Sequence, residues 1–397
     1  MSARLLTNIG ELITNDPSLG DGSAVGRLRD AALVVDDHRV VWVGSASEAP
    51  DADERHDARG CAVVPGFVDS HTHLVFAGER SDEFEARMAG ERYDGGGIMS
   101  TVIATRAASD VELRAESAAR LGALRAGGVT TVEVKSGYAL DVAGEARLVR
   151  LAAEITDEVT FLGAHVVPRD FVGDRGDYVE LVAGEMMRAC AQARWTDVFC
   201  DQGAFDVDEA RVVLEAGRAQ GHSLRLHANQ LRDIGAIALA VELDCASVDH
   251  CTVVSDADVE RLAHSNTVAT LLPGAEFSTR GAYPSGRRLR DAGVVVALAT
   301  DCNPGTSYVT SMSLVIALAV REMGLSVDEA LWSATRGGAR ALRRDDVGHL
   351  AVGARADFVI LDAPRAAHLA YRPGTSLVRE VWRTEDEVND SVTWEPL

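Results

Sequence analysis

The chain has 397 residues, 47% of them hydrophobic, enough to bury a large core. It carries 39 basic against 61 acidic residues, a net charge of −22, and Lys135 is its only lysine. That balance argues against a nucleic acid or an anionic membrane surface as partner, since both are bound through basic patches. It also suggests a salt-adapted host, in which a dense carboxylate surface stays hydrated.

Length suggests two or three domains, although an α/β barrel often exceeds this prior in one piece. The cysteines Cys61, Cys190, Cys200, Cys245, Cys251 and Cys302 are scattered without CxxC pairs and read as reduced thiols of a cytoplasmic protein. The first residues lack a basic stretch followed by an unbroken apolar run, so no signal peptide is expected. No apolar run approaches the roughly 20 residues that span a bilayer.

Residues 1 to about 64 read as short strands joined by turns: Arg4–Leu6, Ala31–Val35, Val40–Val43 and Gly60–Val64, with Asp36–Asp37–His38 as turn chemistry. The stretch Val63–Val64–Pro65–Gly66–Phe67–Val68–Asp69–Ser70–His71–Thr72–His73 then ends in two histidines at i, i+2. On a strand, residues two apart share a face, so His71 and His73 project together, as two ligands of one metal ion must. From Gly78 to Gly97 the sequence is polar and glycine-rich, and no Gly-Lys-Ser/Thr follows, which predicts a mobile loop over a site.

A helix over 110–126, closed by Gly127–Gly128, leads to the strand Val129–Val134 and to Lys135–Ser136–Gly137–Tyr138. The alternation then repeats. Helices at about 142–154, 176–193, 207–220, 232–242, 256–264 and 285–292 precede the strands Thr160–His165, Asp197–Cys200, Leu224–His227, Ala246–His250, Val268–Leu272 and Val294–Asp301. Counting the strand that ends in the histidine pair, eight βα units predict a (β/α)8 TIM-like barrel over residues 65–348. Helices at about 310–323 and 326–341 follow, and the tail returns to short strands at Phe358–Leu361 and Leu377–Val381. The two β-rich ends, 1–64 and 349–397, are expected to join in one small β-sandwich domain.

Polar residues cluster where barrel enzymes carry their chemistry, at the C-terminal ends of strands: His71, His73, His165, His227, His250 and Asp301. A single histidine at a strand end is ordinarily a satisfied structural residue, but six such groups at one end of successive strands are not explained that way. Three histidines and an aspartate around a divalent cation leave a coordination position open for water, as catalytic zinc sites do. The expected metal set is His71, His73, His227 and Asp301. His250 then stands beside the activated water as base or electrostatic stabiliser. These ligands suit zinc, iron or manganese comparably.

The run Gly66–Phe67–Val68–Asp69–Ser70–His71–Thr72–His73, with His227, His250 and Asp301 on later strands, resembles the amidohydrolase superfamily. Further stretches (GFVDSHTHLVFAGER at 66–80, GGGIMSTVIATRAAS at 95–109, GVTTVEVKSGYAL at 128–140, TFLGAHVVP at 160–168, LRLHANQL at 224–231, TVATLLPGAEFS at 267–278 and VALATDCNPGTS at 296–307) make the likeness closest to its imidazolonepropionase family. The resemblance covers roughly residues 60 to 350. It implies a mononuclear metal hydrolase of histidine catabolism, with zinc or iron, opening the cyclic amide of 4-imidazolone-5-propanoate, and a homodimer. It implies metal ligation by His71, His73, His227 and Asp301, and catalysis by His250 and Asp301. Substrate contacts are implied for Arg80, Tyr93, Tyr138, His165, Gln230, Asn303, Gly305 and Thr306. Arg80 suits the substrate carboxylate, which a guanidinium binds in a fork.

Two features depart from that pattern. Position 230 is often glutamate in the family, whereas the amide of Gln230 cannot act as a base. Proton transfer then falls on His250 and Asp301, and Gln230 orients the substrate. The stretch between Arg92 and Gly95, around Tyr93, is also short. A relative with two metals would need a carboxylated lysine on the fourth strand. Lys135 lies on the second, which favours one metal and leaves this lysine to order the neighbouring Tyr138 loop. The rival readings are a deaminase of the same superfamily, which Gln230 opposes, and a catalytically inactive barrel serving as a binding protein, which intact ligands oppose.

Overall fold

The computed structural model describes residues 3–90 and 97–384. Its centre is a parallel sheet of seven strands, from Val134–Lys135 through Val159–Ala164, Trp195–Cys200, Ser223–Ala228, Ser247–His250 and Val268–Leu271 to Val296–Leu298. Phe67–Asp69 pairs in parallel with Val129–Val132, which continues into Val134–Lys135 as one interrupted strand. The barrel thus has eight strands, with helices between them.

The ring closes between its first and last strands. Thr72 bridges Cys302 in parallel. The N–H of Asp301 donates to His71 O at 3.0 Å, and the N–H of His73 donates to Cys302 O at 3.0 Å. Beneath this seam the Asp69 carboxylate accepts from Thr300 N at 3.0 Å and from Thr300 Oγ1 at 2.6 Å.

Both chain ends contribute to one mixed seven-stranded sheet. Its order is Val378–Trp382, Phe358–Leu361, Ala62–Pro65, Arg4–Ile13, Arg27–Asp36 and Arg39–Ser45, with Glu54–Asp57 pairing beside Arg4–Ile13. Ala62–Pro65 joins sheet to barrel, and its period of two divides its side chains: Ala62 and Val64 pack in the barrel's core, Val63 in the sheet's own core with Leu12, Leu33, Phe358 and Ile360. At the crossing point Gly66 is packed so closely that a Cβ would lie 2.2 Å from Thr130 Oγ1.

Several elements differ from the sequence expectation. The segment predicted as a loop from Gly78 to Gly97 holds the helix Ser81–Met88, and another helix, Ile98–Ala107, begins directly after it. In the first only Arg87 is buried, so it has no apolar stripe to read; the second buries Ile98, Thr101, Val102 and Thr105, a helical period half made of threonine. The helix expected at 232–242 begins only at Ala236, after Gly235 at φ 88°, leaving 229–235 as a loop. The strand expected to run from Val294 to Asp301 is regular only over Val296–Leu298, and Asp301 itself has φ 52°. The helix Pro273–Thr279 and the strand Glu54–Asp57 were not expected. Where caps are strong, expectation and structure agree closely: Ser109 and Glu112 form a capping box that starts the helix Asp110–Ala126. Among the described residues the six cysteines are free thiols, Cys61 half-buried and the others buried, and no helix is long and apolar enough to cross a membrane.

Candidate active site

The C-terminal ends of the barrel strands bring His71, His73, His227, His250 and Asp301 into one buried cluster. Donor atoms of His71, His73 and Asp301 all lie within 4.8 Å of one another, as do those of His71, His227 and His250. His71 Nε2 is 3.5 Å from Asp301 Oδ1, and His73 Nε2 is 3.6 Å from the same oxygen. Ligands held about 2.0–2.1 Å from a tetrahedral zinc are separated by about 3.4 Å, so this spacing fits a metal shell.

The free valences point the same way. His71 Nε2 and Asp301 Oδ2 are buried without a hydrogen-bond partner, an arrangement that costs free energy unless something occupies the space between them. The other nitrogens of two imidazoles are taken: His71 Nδ1 meets Asp249 Oδ2 at 2.7 Å, and His227 Nδ1 meets Asp197 Oδ2 at 2.9 Å. A proton at Nδ1 in each ring leaves the Nε2 lone pair for a cation, as carboxylate–histidine–metal chains require.

Burial dominates the protonation states. It holds the imidazoles of His71 and His73 well below their ordinary pKa, and takes His165 and His250 down to about 3, so all four are neutral at pH 7. Burial also pushes the Asp301 carboxyl well above the usual range, a cost that a neighbouring cation removes. His250 (φ 79°), Cys251 (φ 51°) and Asp301 (φ 52°) adopt left-handed backbone where the strands end, a strain that tends to gather at functional sites.

The remaining sequence candidates divide. Tyr138 and His165 line the cluster, their rings 5.4 Å apart and 5.8 Å and 5.6 Å from the His73 ring. Arg80 is buried beside Gly305, and its guanidinium is held by Glu83 through Nε–Oε1 at 2.9 Å and Nη2–Oε2 at 2.5 Å. Asn303 spends its side chain within its own loop, with Oδ1 accepting from Gly305 N and Thr306 N at 2.8 Å each and Nδ2 donating to Asp301 O at 2.7 Å. Gln230 is half-buried in the loop after the fifth barrel strand, its backbone N–H facing the carboxylate of Asp201. Tyr93 lies outside the described residues.

Sequence reasoning missed the layer beneath the ligands. Asp197, Asp249, Glu133 and Arg225 are fully buried, with Arg225 Nη2 donating to Asp249 Oδ2 at 3.1 Å and to Ser70 O at 2.6 Å. The available signal was a charged residue directly following an apolar or threonine position inside each of three strands, WTDVFC, SLRLHA and SVDH. Glu276 was missed as well. It is buried on Pro273–Thr279, accepts from Thr252 Oγ1 at 2.8 Å, and burial lifts its pKa to about 7.

The amidohydrolase family model described as "Amidohydrolase family" matches residues 91–388. The chain is 59% identical to the imidazolonepropionase of Streptomyces griseus subsp. griseus, over 98% of this chain and 100% of that one. It is 60% identical to the imidazolonepropionase of Mycolicibacterium smegmatis, over 100% and 98%. Among solved structures, a variant of the atrazine chlorohydrolase of Arthrobacter aurescens in complex with zinc and atraton superposes with a TM-score of 0.72 at 19% identity, covering 96% of this chain and 94% of that one. N-isopropylammelide isopropylaminohydrolase of Burkholderia multivorans superposes with a TM-score of 0.71 at 22% identity, covering 97% of each chain. These two likenesses show the fold. The chain belongs to the amidohydrolase family.

Proposed function

We propose that this member of the amidohydrolase family hydrolyses the cyclic amide C–N bond of 4-imidazolone-5-propanoate to give N-formimidoyl-L-glutamate, the imidazolonepropionase reaction of histidine catabolism. The observation that carries a hydrolytic reading is the convergence of four histidines and Asp301 in one buried cluster with unpartnered Nε2 and carboxylate atoms. The near 60% identity to imidazolonepropionases over almost the whole chain supports the choice of substrate.

One metal ion per chain, zinc or iron, fits His71, His73, His227 and Asp301. When bound it supplies Lewis acidity toward water and the ring carbonyl. The protein side of the reaction follows from the groups around it. The neutral imidazole of His250, its Nδ1 buried and unpartnered, accepts a proton from the attacking water. Asp301 shares in handling that proton and delivers it to the departing ring nitrogen, so His250 and Asp301 both finish the cycle in their starting protonation states. Arg80 binds the propanoate carboxylate, and the tyrosine and histidine rings of Tyr138 and His165 flank the flat imidazolone. Gln230 orients the ring, and Thr306 with Gly305 closes the carboxylate end. The barrel over 65–348 is the catalytic unit, and 1–64 with 349–397 supply the small β-domain.

The test is the ultraviolet signal of imidazolone-propanoate in the presence of purified protein, before and after chelator treatment and after return of zinc or iron. Consumption that chelation stops and metal restores is expected. Ammonia release from aminated rings in place of imidazolone-propanoate consumption would assign the site to a deaminase.

A further inference from the structure

Below the candidate ligands, in the same layer as Arg225, lies a buried ammonium. Lys135, the only lysine in the chain, is fully buried on the second barrel strand. Its Nζ is 2.9 Å from Glu133 Oε1, 2.9 Å from Asp197 Oδ2 and 4.0 Å from Asp249 Oδ2. Two of those carboxylates hold a candidate ligand each, and the third holds the backbone between His71 and His73. Asp197 accepts from His227 twice, from Nδ1 at 2.9 Å and from the backbone N–H at 3.1 Å. Asp249 holds His71 Nδ1 at 2.7 Å. Glu133 Oε2 accepts from the N–H of Thr72, the residue between His71 and His73, at 3.1 Å, and the N–H of Lys135 donates to Thr72 O at 3.0 Å.

We infer that Lys135 is a positioning residue of the metal centre, one ammonium that clamps the supports of His71, His73 and His227 together. The inference rests on the reading that this cluster holds a metal ion. The physical need is clear from the charges. Glu133, Asp197 and Asp249 crowd one buried volume, and Arg225 reaches only Asp249. Without Lys135 the other two carboxylates have no lysine or arginine within ion-pair distance among the described residues, and buried like charges move apart. An Asp197 released from Lys135 is free to turn away from His227 Nδ1, which removes the hydrogen bond that fixes that ring's orientation. A compact ammonium with three donors reaches these three acids at once, which a planar guanidinium does less readily. Elsewhere this chain uses arginine for every basic side chain except histidine. Burial disfavours the charged amine, but Asp197 and Glu133 outweigh it and keep its pKa above the ordinary value.

Two measurements test this. In the first, Lys135→Met is stripped with chelator and its zinc affinity is measured by competition with a chromophoric chelator, alongside circular dichroism. Loss of an outer support weakens metal binding by about 10- to 100-fold, and a loss of that size in a folded variant is expected. In the double variant K135M/D197N, which removes one unpaired charge, thermal stability should recover while zinc affinity stays low. In the second, wild-type protein grown with ζ-15N-lysine should give one side-chain ammonium resonance, because the chain has one lysine. That resonance should shift between zinc-free and zinc-loaded protein, which makes the test independent of how the variant folds. Zinc affinity within twofold of wild type in folded K135M, or a resonance that does not move on zinc loading, would overturn the inference. Wild-type protein that takes up no zinc, iron or manganese would defeat the metal reading itself, and this inference with it.

Discussion

Gly305→Ala probes substrate recognition without removing any reactive group. A Cβ at position 305 lies 2.4 Å from Arg80 Nη1 and 2.9 Å from its Cζ, where ordinary contacts stand at about 3.5 Å. The guanidinium must therefore retreat by about 1 Å. Its far edge is pinned by Glu83 at 2.9 Å and 2.5 Å, so it can only tilt, and a tilted fork loses one of two parallel bonds to a carboxylate. A hydrogen bond to a charged group is worth about 1.5–3 kcal/mol, which corresponds to roughly 10- to 150-fold in binding. Initial rates followed in the ultraviolet, with metal content checked in each preparation, should show KM raised by that factor and kcat changed by less than about threefold. A KM within twofold of wild type, or a loss of kcat at constant KM, would refute the assignment of Arg80 to the substrate carboxylate.

Further outcomes follow from the same geometry. His250→Ala should retain its metal and lose about 10²- to 10⁴-fold in kcat; full turnover in a metal-replete variant removes His250 from proton transfer. Burial holds His165 and His250 at about 3 in the folded chain against about 6.5 unfolded. Between those values the unfolded chain binds more protons, so stability present at pH 7 is lost as pH falls from about 6.5 toward 3. Glu276, lifted by burial to about 7, works the other way in this window, so the test is a difference: from pH 6.5 to 5 the urea midpoint of metal-free protein should fall relative to that of its His165→Phe variant, and an identical pH dependence in the two contradicts the burial argument. Gly66→Ala sets a methyl 2.2 Å from Thr130 Oγ1 and should cost about 1–3 kcal/mol in denaturant unfolding. Adding Thr130→Ala should recover most of that loss; a G66A protein as stable as wild type shows that this junction is looser than its packing indicates.

The common end shared by His71, His73, His165, His227, His250 and Asp301 was legible because each follows an apolar run, and a polar residue at the close of a buried parallel strand has few places to point. The supporting acids were not, since Asp197 and Asp249 sit within strands and Glu133 at the break between Val129–Val132 and Val134–Lys135, where alternation makes an inward charge look like an outward one. Only pairing in space, Asp197 with His227 and Asp249 with His71, separates the two cases. The helix Ile98–Ala107 escaped for a related reason: Thr101 and Thr105 serve as apolar positions while spelling polar ones. Asp301 was placed on a strand that in fact ends at Leu298, because sequence periodicity carries no sign of a residue turning to positive φ. The sharing of one sheet by both chain ends was suggested by composition, but its register, with Ala62–Pro65 between Arg4–Ile13 and Phe358–Leu361, required the fold.

The seam of the barrel gives the site an order of assembly. His71 and His73 stand on the first strand and Asp301 beyond the last, and they meet through the hydrogen bonds that close the ring, Asp301 N to His71 O and His73 N to Cys302 O. A chain with only its later strands docked presents His227 and His250 together, both on neighbouring strands, yet lacks the three-residue group contributed across the seam. A cation bridging that group acts as a clasp between segments more than two hundred positions apart in the sequence. Metal uptake during refolding would therefore report the closing of the ring, and an ion bound there would slow its reopening at the place where its two ends meet.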